Sequence, residues 1–116
     1  MLEGALWCGE RLVVPRVART TRIWERARGL LGRRALPAGH GLLITPCGAV
    51  HTLGMRLALD LVFLDADWRV VRTVAAVPPW RWAVWGGRLA RHTLEVQAGW
   101  LDLDACAGCV LRWQPR

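Results

Sequence analysis

At 116 residues, 53% of them apolar, the chain has the size of one domain that buries roughly two-thirds of its unfolded surface. No segment approaches the ~20 apolar residues that a membrane span needs. The formal charge of +7 invites a phosphate-binding reading. Yet all sixteen basic residues are Arg, none is Lys, and they are scattered rather than blocked, which marks a compositional bias as much as a nucleic-acid surface. Met1-Leu2-Glu3-Gly4 has no basic n-region and no apolar h-region follows. The expected location is therefore cytoplasmic, with Cys8, Cys47, Cys106 and Cys109 as reduced thiols.

In chain order, Leu6-Trp7-Cys8 and Leu12-Val13-Val14-Pro15 with Val17 read as strands turning at Gly9-Glu10, and Pro15 predicts an edge position. A helix follows over about residues 21–32: Thr20 or Thr21 caps it, and Ile23, Ala27, Leu30 and Leu31 share one face. Gly32 stops it, and Arg33-Arg34 suit the negative end of its dipole. After a loop through Gly41, Leu42-Leu43-Ile44-Thr45 is a short strand ended by Pro46.

The stretch Cys47 to Asp65 is the centre of the chain. Leu59 to Leu64 is an almost unbroken apolar run of strand length, which predicts burial on both faces. Just before it, a thiol, an imidazole, a hydroxyl, a thioether and a guanidinium crowd into Cys47–Arg56. Polar groups that run into a core strand are either pinned by hydrogen bonds or exposed at a site. Asp65-Ala66-Asp67 turns the chain into a second β-rich run, Trp68 to Val77, completing a hairpin. Pro78-Pro79 ends it, and Trp80 to Gly87 reads as a loop carrying three tryptophans. His92 to Ala98 alternates, which predicts Leu94, Val96 and Ala98 inward and Thr93, Glu95 and Gln97 outward. One or two helical turns over Trp100–Ala105 and a last strand, Val110-Leu111-Arg112-Trp113, complete a mostly-β (α+β) domain spanning 1–116.

With these elements in place the chain resembles the domain of unknown function 192 family of small bacterial and archaeal proteins. The matching pieces stand in family order: Arg28-Gly29-Leu30-Leu31-Gly32-Arg33, Gly41-Leu42-Leu43-Ile44, Cys47 to Arg56, Leu59 to Asp65, Pro79-Trp80-Arg81, and Leu94-Glu95-Val96 with Ala98-Gly99. The resemblance implies a compact barrel-like sheet, antiparallel or mixed, with the helix packed on it, and it brings no mechanism. Ala58, where the family has Pro before Leu-Asp, and Cys109, where it has Asp in a Gly-Asp turn, depart from the pattern.

Several residues bear chemistry, each with a structural alternative. Cys106-Ala107-Gly108-Cys109 has zinc or redox spacing, but a structural zinc needs four ligands and no second ligand pair is in view, so reduced core thiols are expected. Cys47 and His51 suggest a nucleophile and base. On an extended strand they stand ~13 Å apart, and only a turn at Gly48-Ala49 joins them. Asp60, a lone charge in the apolar run, needs a partner: Arg56, Arg81 or N–H groups of the Gly54 turn. Trp80-Arg81-Trp82 and Trp85 offer rings to stack on and a fork for an anion, or else cover an open end of the sheet.

The composite expectation is a non-enzymatic binding or accessory domain with a polar cleft at His51, Thr52, Arg56, Asp60, Trp80 and Arg81. Its ligand is a small anionic or polar molecule or a peptide, with no catalytic residue, metal, cofactor or membrane partner implied. An enzyme using Cys47 or His51, and nucleic-acid binding by the Arg-rich surface, stand as the alternatives.

Overall fold

The structure, a computed structural model, describes residues 1–22 and 36–116. The helix expected over about residues 21–32 lies almost wholly outside the described residues. Nine strands are described: β1 Leu2–Cys8, β2 Arg11–Arg19, β3 His40–Ile44, β4 Ala49–Val50, β5 Leu59–Leu64, β6 Val70–Val77, β7 Val84–Trp85, β8 His92–Gln97 and β9 Leu111–Pro115. A single turn of helix, α1 Leu103–Cys106, precedes β9 and is capped by Asp102, whose side chain accepts the Ala105 N–H.

Seven strands make one mixed sheet in the order β6-β5-β8-β3-β2-β1-β9, and β4 pairs with β7 in a separate two-stranded ladder. Among the described strands only β2 and β3 run parallel. The mostly-β class holds, but the sheet is not closed into a barrel. Its outer strands touch at one bridge, Arg69 with Val110, where Val70 N–H donates to Cys109 O and Leu111 N–H to Trp68 O. Past that seam β9 follows β1 and β6 follows β5, so the outer strands diverge and the ladder stops.

Pro15 does not make β2 an edge, because β1 and β3 flank it. The proline falls in the bulge between the pairs Gly4–Val17 and Leu6–Val14, and β3 pairing starts only at Arg16. A missing N–H is tolerated there.

Both faces of the sheet's centre are covered. Val14, Leu43, Val62, Leu64, Leu94 and Val96 build the core on one face, closed by α1 and the tryptophans Trp68, Trp100 and Trp113. Leu42, Ile44, Leu59, Leu61 and Phe63 build a second core on the other, under Val50, Met55, Val84 and Ala90. All six residues of β5 are buried, as its apolar run requires. Each large side chain so placed contributes roughly 1.5–3 kcal/mol.

The same geometry overturns the alternation expected of β8. Thr93 and Glu95 are as buried as Leu94 and Val96, because β8 runs between β3 and β5, and the second core lies over its other face. Periodicity names which residues share a face; whether that face is wet depends on what packs over it.

Candidate functional site

Central stretch and tryptophan loop meet through backbone. Ala49 and Val50 pair with Trp85 and Val84, so part of the expected loop is a strand. Gly86 N–H donates to Gly48 O at 2.9 Å. Gly86 also lies so close to Phe63 that a Cβ there would enter the ring, which is what lets the ladder settle onto the second core.

Thr52 is the second fastening. It is fully buried, its Oγ1 donates to Pro78 O at 2.7 Å, and it accepts the Arg81 N–H at 2.8 Å. Its N–H donates to Arg81 O at 2.9 Å, and its carbonyl accepts the N–H groups of Trp80 at 2.7 Å and Met55 at 3.1 Å. Every polar atom of Thr52 is thus spent on holding the two loops together.

The side chains above this knot stay in water. Trp80, Trp82 and Trp85 are 68, 82 and 61% exposed. Trp80 also adopts φ +68°, a conformation that costs a bulky residue on the order of 1–3 kcal/mol and persists only where its surroundings impose it. His51 is exposed, its Nδ1 accepting the Leu53 N–H at 3.2 Å, and Arg56 is exposed with no partner among the described residues. The Cys47 thiol donates to Ala49 O at 2.9 Å.

Asp60 stands apart from these groups. It is buried on the opposite face of β5 from Leu59, Leu61 and Phe63. The partners expected for it, Arg56, Arg81 or the Gly54 turn, are not the ones it has. One carboxylate oxygen accepts the Ala76 N–H at 2.7 Å and the other the Gly99 N–H at 3.0 Å. Ala76 itself sits at φ +52°, so this carboxylate pins a kink in β6 and the turn after β8.

Of the six sequence-derived residues, Thr52, Trp80 and Arg81 are therefore brought together, His51 adjoins them in the chain, and Asp60 is held elsewhere. Arg81 lines a groove of about 260 Å3 between β6 and β7, together with Arg72, the Val74–Pro78 segment, Ala83, Val84 and Trp85. Arg72 and the β6 backbone were not legible as part of a site, since nothing in the sequence says which strand ends on an edge.

Glu95, expected outward, is enclosed instead. It is 3% exposed, flanked in register by Leu42 and Leu61, and its Oε2 has no hydrogen-bond partner. Burial pushes its carboxyl up to about 7. A signal existed: two continuous apolar runs, Leu42–Ile44 and Leu59–Leu64, imply that any strand between them is covered on both sides. Among the described residues no three His, Cys, Asp or Glu are grouped to hold a metal ion, and no helix is long and apolar enough to cross a membrane.

The fold is shared with proteins of low sequence identity. A protein of unknown function from Novosphingobium aromaticivorans DSM 12444 superposes with a TM-score of 0.75 at 21% identity, covering 96% of this chain and 84% of that one. A candidate transcription regulator from Sinorhizobium meliloti 1021 superposes with a TM-score of 0.79 at 19% identity, covering 97% and 92%. No curated protein sequence matches the chain. The family model for domain of unknown function 192, Uncharacterized ACR, matches residues 9–113, so the chain belongs to the domain of unknown function 192 family.

Proposed function

We propose that this chain is a non-enzymatic binding domain whose receptive surface is the groove beside β6, and that the groove takes an extended acidic peptide. One observation carries the proposal: three indoles kept in water on a loop fastened by Thr52 and the β4–β7 ladder, beside a groove whose charged lining, among the described residues, is Arg72 and Arg81. Rings held open to solvent have no packing rationale and are typical anchors for a partner. Strand β6 is an edge of the seven-stranded sheet, so its outer N–H and C=O groups can receive an added strand. Carboxylates on that strand would meet the arginine forks.

In this reading Trp80 and Arg81 contact the ligand, with Trp85 and Arg72 beside them. Thr52 positions the loop, Asp60 shapes β6 through Ala76, and His51 and Arg56 stand exposed on the adjoining segment.

Indole fluorescence titrated with a glutamate-rich peptide is the test, with a lysine-rich peptide and a single-stranded oligonucleotide as comparisons. The acidic peptide should perturb the emission, and Arg72→Ala with Arg81→Ala should weaken binding by about tenfold or more. Response to the oligonucleotide alone, falling steeply with salt, would favour the nucleic-acid alternative. Cys47 labelling faster than a free thiol would favour the enzyme alternative.

A further inference from the structure

Three strands away from β6, a second pocket of about 210 Å3 opens where the starts of β1 and β3 meet β2. Arg16 and His40 stand opposite each other on the parallel pair β2–β3, and paired strands lie ~4.8 Å apart, so their side chains leave from one face. Ala18, two residues along β2, shares that face and is flanked in register by Leu42 of β3 and Glu3 of β1. Leu42 belongs to the second core, which identifies the face. Arg116 follows β9 and donates its N–H to Glu3 O at 3.0 Å, which sets it at the same rim. Leu36, 5% exposed, forms an apolar wall, and the short side chain of Ala18 keeps the floor low.

We propose that this pocket binds a free dicarboxylic α-amino acid, aspartate or glutamate. Its polar lining is two guanidinium groups, one imidazole and one carboxylate, from Arg16, Arg116, His40 and Glu3. Among the described residues none of these four side chains has a hydrogen-bond or ion-pair partner, so their bonding capacity is free for a ligand. Two positive charges and one negative are complemented by a molecule with two carboxylates and one ammonium. One carboxylate of the ligand meets Arg16 and His40, the other meets the Arg116 fork, and the ammonium donates to Glu3. The methylene groups between them lie over Ala18 and against Leu36.

Size and setting narrow the occupant. The volume falls below the ~300–1,000 Å3 of sites for drug-sized ligands, so a small molecule fits it. Strands β1, β2 and β3 each have a neighbour on both sides, so no free strand edge is offered here to an extended peptide, unlike the groove beside β6. A phosphate or other anion without an amine would leave Glu3 unpaired beside it and repelling it. Because the charged groups stand at the surface, binding is weak, with a Kd on the order of 0.1–1 mM for a ligand of this size.

The test is titration of the whole chain with L-glutamate and L-aspartate, followed by calorimetry and by the ring signals of His40 in nuclear magnetic resonance spectra. L-glutamine, N-acetyl-L-glutamate and inorganic phosphate are the comparisons. One of the two acidic amino acids should bind saturably and shift the His40 signals, while glutamine, which lacks the second carboxylate, and N-acetylglutamate, which lacks the ammonium, bind about tenfold more weakly or worse. Arg16→Gln should weaken binding by a similar factor, and Glu3→Gln should erase the preference for glutamate over its N-acetyl form. Both positions are exposed, and circular dichroism verifies that the variants keep the fold. No saturable binding of either amino acid, equal binding of glutamine or N-acetylglutamate, a response to phosphate alone, or unchanged affinity in Arg16→Gln would overturn the proposal. None of these outcomes bears on the groove beside β6, whose arginines are Arg72 and Arg81.

Discussion

Thr52 and Arg81 exchange hydrogen bonds in both directions: the threonine N–H donates to Arg81 O at 2.9 Å, and its hydroxyl accepts the Arg81 N–H at 2.8 Å. Because that hydroxyl also donates to Pro78 O, one buried side chain fixes both the end of β6 and the start of the tryptophan loop.

Thr52→Val should therefore destabilise the chain by about 1–3 kcal/mol, because it keeps the shape but orphans Arg81 N–H and Pro78 O. Thr52→Ser should lose much less. Urea unfolding reads the stability, and near-ultraviolet circular dichroism reads whether the indoles keep their fixed surroundings. Equal losses for Val and Ser would show that the methyl, not the hydroxyl, holds the loop.

Asp60→Asn removes one of two carboxylate acceptors while changing little in volume. Either Ala76 N–H or Gly99 N–H then faces an amide NH2, at a cost of about 1–3 kcal/mol. Amide hydrogen exchange should quicken at whichever of those two residues is abandoned. Unchanged protection at both would mean that Asp60 is not what holds the kink in β6.

Glu95 sets a pH dependence whose sign follows from its burial. Its carboxyl is raised from 4.5 to about 7 in the folded chain, so the native state holds a proton that the unfolded state has released. The destabilisation is absent below about 4.5, grows between 4.5 and about 7, and is complete above that, at roughly 3 kcal/mol. Glu95→Gln, which has no proton to lose, should flatten this slope and be the more stable form at pH 8. Denaturant midpoints across pH 4.5–8 are the measurement. Parallel profiles for the two proteins would place the titration elsewhere.

Gly86→Ala should cost about 1–3 kcal/mol by overpacking, because the new methyl meets the Phe63 ring and lies 2.6 Å from Ala90 Cβ. Gly48→Ala serves as a milder comparison on the same ladder, its Cβ meeting Ala90 O at 2.7 Å. Thermal melts followed by indole fluorescence should show Gly86→Ala failing first. A neutral Gly86→Ala would mean that the β4–β7 ladder can lift off Phe63 without loss.

The chain's own residues determined most of the large sheet but not the β4–β7 ladder: apolar runs wrote β5, the Asp65–Asp67 turn wrote the β5–β6 hairpin, and Gly9-Glu10 wrote the β1–β2 turn. They also singled out the central stretch and the tryptophan loop, because dense polar groups beside a core strand and large rings on a loop both lack a packing reason. Tertiary structure alone decided which face each residue looks onto. Glu95 alternates like a surface residue, yet the second core lies over it; Asp60 follows the Thr52 region in sequence, yet β5 presents it to the other side. Cys8 stands beside Leu111 only because β1 and β9 become neighbours. Local sequence sets backbone periodicity through contacts a few residues long, while covering a face or closing a seam depends on segments tens of residues away, whose placement no local pattern encodes.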